Sequence, residues 1–227
     1  MNTKENLSKR SWSQFKNLLT AVASMLLLYL ATFNSAAQTY YKVLHSFNGS
    51  DGGVSWASLM LAGSTLYGTA AWGGSSNCGA IFKLNTDGSG YTVLKSFTGG
   101  DGMEPRAGLV LAGNTLYGTT SQGGSSDNGV VFKVNTDGSG YGVLVNFNYT
   151  NGAAPLGSLV LAGSTLYGTT IGWGWGTVFK VNTDGSGYVI LKSFLGHSNN
   201  DGGGSACGSG LGGQHALWDD VSGRQFG

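Results

Sequence analysis

Leu111-Ala112-Gly113-Asn114-Thr115-Leu116-Tyr117-Gly118-Thr119 decides the fold, because this stretch occurs three times in the chain. Related segments stand at residues 61–69 and 161–169, which gives a period of 50 residues. A second pattern, Asn-Thr-Asp-Gly-Ser-Gly-Tyr, recurs at residues 85–91, 135–141 and 182–188, so the third copy has a shorter central loop. A period near 50 residues is typical of β-propellers and related arrays, and not of leucine-rich or helical solenoids.

Each copy is predicted to form four short antiparallel strands. In the second copy they cover residues 108–111, 115–120, 129–135 and 141–147, which are rich in Val, Leu, Tyr, Phe and Thr. Residues 112–114 predict a tight hairpin, and Asp137-Gly138 is expected to supply the positive φ angles of a second hairpin turn. Four such strands make one propeller blade, so the sequence predicts an all-β fold: an incomplete β-propeller of about three four-stranded antiparallel blades.

Residues 1–37 predict a helical signal peptide. Four basic residues up to Lys16 precede an uncharged stretch at 18–33, and small residues stand at the −3 and −1 positions of a cleavage site after Ala37. The alternative is an uncleaved membrane anchor, because the apolar stretch is nearly as long as the about 18 residues of a confident membrane span. We favour cleavage, which predicts a secreted protein with no membrane span in the mature chain.

The mature chain begins with the repeat domain, expected over residues 38–200 with repeats at about 48–97, 98–147 and 148–194. Residues 40–47 align with the fourth strand of the repeats and lack the three strands that precede it. We therefore predict an orphan strand at 40–47. In closed propellers such a strand completes the last blade and covers its edge.

These repeats resemble the GloVer-type extracellular tandem repeat, a family with kelch-like propeller character. The segments that carry the resemblance are the three Leu-Ala-Gly-(Ser/Asn)-Thr-Leu-Tyr-Gly-Thr stretches, the Gly pairs at 73–74 and 123–124, the (Val/Ile)-Phe-Lys segments that end at Lys83, Lys133 and Lys180, and the Asn-Thr-Asp-Gly-Ser-Gly turns. The resemblance covers roughly residues 40–200. It implies an extracellular domain of a secreted bacterial protein, often with a surface anchor, and it brings no catalytic signature.

The repeat ends near residue 201, and an irregular tail occupies residues 201–227. Codons can be chosen for Gln214–Asp220 that, when read one nucleotide later, encode Asn-Thr-Leu-Tyr-Gly-Thr-Thr, the sequence of residues 114–120. We therefore interpret the tail as a frameshifted fourth repeat, with a native Gly-rich tail as the alternative. A chain cut off after three copies should expose the flank of its last blade, which predicts self-association through that end blade.

Composition excludes some partners. The chain has 12 basic and 11 acidic residues, and cleavage after Ala37 removes four basic residues and Glu5. The mature chain then carries 8 basic and 10 acidic residues, a net charge of −2, which is not the basic footprint of a nucleic-acid-binding protein.

No catalytic set is evident, so we expect no catalytic residues, no cofactor and no enzyme activity. Glu104 and Asp127 are the acids that do not recur between repeats, whereas the aspartates of the repeated turns are expected to be structural. The two cysteines, Cys78 and Cys207, and the three histidines lack metal-ligand spacing, so no metal is expected. Calcium at the Asn85 turn is a weaker alternative, because a hairpin turn explains that pattern.

The loop after the second strand carries residues that break the repeat. Trp72 in the first copy is replaced by Gln122 in the second, and Trp173 and Trp175 stand in the shorter loop of the third. These four residues are the candidate binding residues. Indole rings on glycine-flanked loops suit stacking on a glycan or a surface protein. Packing between blades is the alternative for each of them.

Together these features predict a secreted, non-catalytic repeat protein that serves as a binding or display module at the cell surface. Two alternatives stay open: a fragment of a propeller enzyme that acts on polysaccharide, and a non-functional product of a disrupted gene.

Overall fold

The computed structural model describes residues 12, 14, 16–26, 41–172 and 175–194. The chain divides into two units, Met1–Val43 and Leu44–Gly227. In the first unit, residues 16–26 are helical and their side chains are exposed. Within the described part of the chain, no helix combines the length and the apolar character that crossing a membrane requires. The cleavage site after Ala37, the tail at 201–227 and its proposed frame change lie outside the described residues.

In the second unit, the described strands form three antiparallel sheets. Within each sheet, strands that are consecutive in the chain are neighbours. Sheet 1 contains β1 (Met60–Ala62), β2 (Thr65–Ala70), β3 (Ala80–Asn85) and β4 (Thr92–Ser96). Sheet 2 contains β5 (Val110–Ala112), β6 (Thr115–Thr120), β7 (Val130–Asn135) and β8 (Gly142–Asn146). Sheet 3 contains β9 (Val160–Ala162), β10 (Thr165–Thr170), β11 (Thr177–Asn182) and β12 (Val189–Ser193). The predicted fold class, about three four-stranded antiparallel blades, is confirmed.

The two kinds of turn differ in how they use glycine. In the β5–β6 hairpin Ala112 pairs with Thr115, and Gly113 takes a φ of +57°, as expected for a two-residue turn with Gly first. In the β7–β8 loop the expectation of positive φ at both Asp137 and Gly138 is wrong, because only Gly138 has it in that pair. The side chain of Asp137 instead accepts the N–H and O–H of Ser139, and these hydrogen bonds lower its pKa.

The core lies between successive sheets. Alternate residues of β7 point to opposite sides, as in any strand, so Val131 packs toward sheet 3 and Phe132 packs toward sheet 1. Phe132 is fully buried and meets Phe97 edge to face at a ring distance of 5.4 Å. The ring of Phe132 also covers Gly118, where an added Cβ would lie 2.6 Å from its Cζ atom. The glycine of the repeated Leu-Tyr-Gly-Thr motif is therefore required by close packing.

Residues 41–48 differ from the prediction of an orphan strand, because they have no regular secondary structure. The physical reason is that the strand they would pair with is absent from the described chain, so no ladder forms. Their packing is nevertheless that of a fourth strand. Phe47 meets Phe82 edge to face at 5.3 Å, as Phe97 meets Phe132, and the backbone of Leu44 lies against Gly88 as that of Leu94 lies against Gly138.

A tyrosine joins each sheet to the segment that precedes it. The hydroxyl of Tyr91 donates to the carbonyl of Asp51 (2.7 Å), Tyr141 donates to that of Asp101 (2.5 Å), and Tyr188 donates to that of Asn151. Burial raises the pKa of Tyr188 to about 12, and burial with the nearby carboxylates raises the pKa of the other two. The hydroxyls therefore stay protonated and keep donating at physiological pH.

Candidate functional site

The antiparallel order places two sets of connections at one end of the sheets. The loops between second and third strands, at 71–79, 121–129 and 171–176, leave from the same end at which the chain enters each first strand. The segments that lead into the first strands, at 48–59, 98–109 and 148–159, therefore lie beside them. We call this end the loop face. The residues that break the repeat are concentrated on it.

The described candidate residues all lie on the loop face. The side chains of Trp72 and Trp175 are each 45% exposed, so packing between blades does not account for them. Gln122 pairs through its backbone with Met103, by N–H···O distances of 2.8 and 3.1 Å, and its side chain is half-buried. Trp173 lies outside the described residues.

A cavity of about 370 Å³ opens on the loop face between sheets 2 and 3. Its described lining includes Gln122, Asp127 and Asn128 from sheet 2, Tyr149 and Ala154 from the segment before β9, and Ile171 from the third loop. Sequence reasoning identified Gln122 as a binding residue and Asp127 as a non-recurring acid, and it missed the rest. The signal was present, because Tyr149 stands where the earlier copies have Gly49 and Gly99.

A charged cluster is the second feature of the loop face that sequence reasoning missed. The Arg106 guanidinium donates to one carboxylate oxygen of Glu104 from Nη2 (2.6 Å) and from Nε (3.1 Å). The same guanidinium lies 4.3 Å from the centre of the Trp56 ring, in cation–π geometry. Trp56 and Arg106 hold the same repeat position, so neighbouring copies place a ring and a cation side by side.

The described residues contain no group of three or more His, Cys, Asp or Glu that could hold a metal ion. The Cys78 thiol is half-buried and free within this part of the chain, and it points at the carbonyl of Ser76 (3.3 Å). Cys207 lies outside the described residues.

A family model described as the Gloeobacter/Verrucomicrobia repeat matches residues 30–218. The chain belongs to this family. The match spans all three sheets, so the tandem repeat that the sequence predicts is a property of the family. No curated protein matches the chain.

Among solved structures, the chain is similar to one from a nidogen/laminin complex, with 22% identity, a TM-score of 0.44, and coverage of 59% of this chain and 46% of that one. It is similar to TolB from Acinetobacter baumannii, with 13% identity, a TM-score of 0.41, and coverage of 57% and 30%. It is also similar to an endo-arabinase from Bacteroides thetaiotaomicron, with 14% identity, a TM-score of 0.38, and coverage of 65% of this chain and 60% of that one. The chain thus spans less than two thirds of the length of each.

Proposed function

We propose that the protein is a secreted, non-catalytic repeat protein of kelch-like propeller character that binds glycans at the cell surface through its loop face. One observation carries the proposal: Trp72 and Trp175, which break the repeat, are half-exposed at the same end of the sheets. An exposed indole offers a flat apolar surface and an N–H donor, which suits stacking on a sugar ring. Burial in the core would have removed both features from solvent.

The test is binding of the full chain to an array of bacterial and plant polysaccharides. We expect binding that Trp72→Ala and Trp175→Ala weaken, whereas Tyr41→Ala, which removes an exposed ring outside the loop face, leaves it unchanged. Binding that neither tryptophan variant alters would contradict the role of the loop face. Capture of surface proteins in place of glycans would identify the other class of partner that the exposed rings allow.

The non-catalytic part of the proposal is supported by how the two non-recurring acids are engaged. Glu104 binds Arg106, and Oδ1 of Asp127 accepts the backbone N–H of Gly123 at 2.9 Å. Incubation with the polysaccharides that bind should release no reducing sugar. Release that Glu104→Gln or Asp127→Asn abolishes would overturn this part and favour the enzyme alternative.

Secretion is supported by the basic and apolar pattern of the leader and by the helix at 16–26. Expression in a bacterial host followed by N-terminal sequencing of the protein in the medium should give Gln38 as the first residue. An intact leader in the membrane fraction would indicate an uncleaved anchor. Absence of the protein from the source organism would favour a disrupted gene.

Self-association through the last sheet belongs to the same proposal. Leu191 in β12 is 49% exposed, whereas Leu144 at the same repeat position packs against the core that sheet 3 completes. A second copy is the expected occupant, because it offers sheets of the same repeat to cover this flank. Sedimentation velocity should show concentration-dependent oligomers that Leu191→Ser reduces and Trp72→Ala does not. A monomer at all concentrations would overturn the idea.

A further inference from the structure

We propose that the cavity between sheets 2 and 3 is a binding site for a single pyranose ring of a neutral glycan. The inference rests on the proposed function and names the place and the class of the ligand. At about 370 Å³, the cavity falls at the lower end of the 300–1,000 Å³ that ligand pockets span. A site of this size suits one sugar residue of a longer chain.

Two small residues leave room in the wall of this cavity. Ala153 and Ala154 stand where the preceding repeat has Met103 and Glu104. These two positions carry less side-chain volume than their counterparts in the preceding repeat, whereas Tyr149 in place of Gly99 adds an aromatic ring at the rim. The loop that begins at Ile171 is also three residues shorter than its counterpart in sheet 2, since it covers 171–176 in place of 121–129.

Three polar residues of the cavity lining carry side-chain atoms that make no hydrogen bond within the described part of the chain. Asp127 uses Oδ1 for the Gly123 N–H, and Asn128 uses Nδ2 for the carbonyl of Ser126. Three side-chain groups make no hydrogen bond among residues 41–172 and 175–194: Oδ2 of Asp127, Oδ1 of Asn128 and the side-chain amide of Gln122. These groups can accept from and donate to several hydroxyls at once, which is what recognition of a sugar requires.

The remaining wall is apolar. The ring of Tyr149 is 54% exposed and the side chain of Ile171 is 60% exposed, and both line the cavity. A pyranose has one face of C–H groups, which can stack on an aromatic ring while its hydroxyls reach the polar groups. The described lining contains one acid and no cation, so an anionic ligand is disfavoured.

The backbone at the rim is strained in a way that the other copies avoid. Tyr149 has a φ of +67°, and Gly99 has +88° at the same position of the preceding repeat. A bulky residue in the left-handed region costs free energy, and such strain concentrates at binding sites. A purely structural role would be served better by glycine. The position therefore retains the ring at a cost in stability, which fits a role in binding.

The experiment uses the full chain and three probes: methyl β-D-glucopyranoside, methyl β-D-galactopyranoside and methyl α-D-mannopyranoside, measured by saturation-transfer NMR and calorimetry. We expect at least one to bind. Tyr149→Gly copies Gly99 and removes the ring while relieving the strain. Ala154→Glu copies Glu104 and fills the cavity at a similar φ, +48° against +54°. Each should weaken binding by about tenfold or more.

Tyr41→Ala is the matched control, because it removes an exposed ring that is not part of the cavity lining, and it should leave monosaccharide binding unchanged. Failure of all three probes to bind, or binding that survives both Tyr149→Gly and Ala154→Glu, overturns the proposal. The polysaccharide array distinguishes the cavity proposal from the proposed function of the loop-face tryptophans. If Trp72→Ala abolishes binding and Tyr149→Gly and Ala154→Glu do not alter it, the cavity proposal is wrong and the proposed function stands. If the probes bind in the cavity but no arrayed glycan binds, the role of the indoles fails and the cavity site stands.

Discussion

Gly118→Ala should destabilise the protein, although alanine is the better residue in most strands. The backbone of Gly118 lies outside the left-handed region, so the loss of chain entropy alone would favour alanine by about 0.5–1 kcal/mol. The new Cβ would lie 2.6 Å from Cζ of Phe132 and 2.9 Å from Cδ2 of Leu109. Both side chains are buried, so relief requires a shift of the packed core between sheets 1 and 2.

Overpacking of this kind costs about 1–3 kcal/mol, which exceeds the entropic gain. We therefore expect a net loss of about 1–2 kcal/mol in the free energy of unfolding. Urea unfolding followed by tryptophan fluorescence measures it as a lower midpoint at unchanged slope. Gly100→Ala is the control, since an added Cβ there meets nothing within 4 Å, and its midpoint should stay at or slightly above that of the wild type.

A second substitution tests the stated cause. Phe132→Leu shortens the side chain that the new Cβ meets, so the double variant should be more stable than the sum of the two single losses predicts. A midpoint of Gly118→Ala equal to or above that of the wild type, or strict additivity with Phe132→Leu, would refute the argument from close packing.

Three further predictions concern single side chains. Burial by itself would raise the pKa of Asp101, but hydrogen bonds from Lys95 and Thr98 outweigh it and leave the pKa below the ordinary 3.8. This carboxylate thus contributes stability above that value and loses it as the pH falls through the lowered pKa. Asp101→Asn should flatten the urea midpoint between about pH 5 and pH 2, and a profile identical to the wild type would contradict this. Asp137→Ala removes two hydrogen bonds in the β7–β8 turn and should lower the urea midpoint, and an unchanged midpoint would contradict a stabilising role for this side chain. Arg106→Leu copies Leu156 of the third repeat and removes both the cation beside Trp56 and the hydrogen bonds to Glu104, so it should cost about 0.5–1 kcal/mol, and an unchanged midpoint would show that this cluster contributes nothing to stability.

The candidate site was only partly predictable. Gln122 and Trp72 were found because each departs from its copies at a position that the repeat otherwise defines. Tyr149 departs in the same way, but its meaning depends on a neighbouring loop that is 22 residues away in the sequence at Ile171. The alanines at 153 and 154 carry no chemical signal at all. A cavity is a property of what surrounds it, so small residues indicate one only when the opposite wall is known.

The segment at 41–48 is a case in which the sequence predicted more structure than forms. Its sequence matches a fourth strand, and Phe47 packs as the fourth-strand phenylalanines do. Pairing, however, needs a partner backbone, and local sequence cannot supply it. The match therefore predicted the packing correctly and the hydrogen-bonded strand wrongly.

The sequence by itself determined the number of sheets, their four strands and the order in which they pair, because the period, the strand composition and the turn glycines act over short distances along the chain. Only the tertiary structure decided which loop residues remain in solvent, where the cavity opens and what Arg106 and Trp56 do together. These features arise between repeats, where side chains meet that are about 50 residues apart. Their geometry depends on the volume that the side chains of both neighbouring repeats fill together, and no local sequence pattern encodes that combined volume.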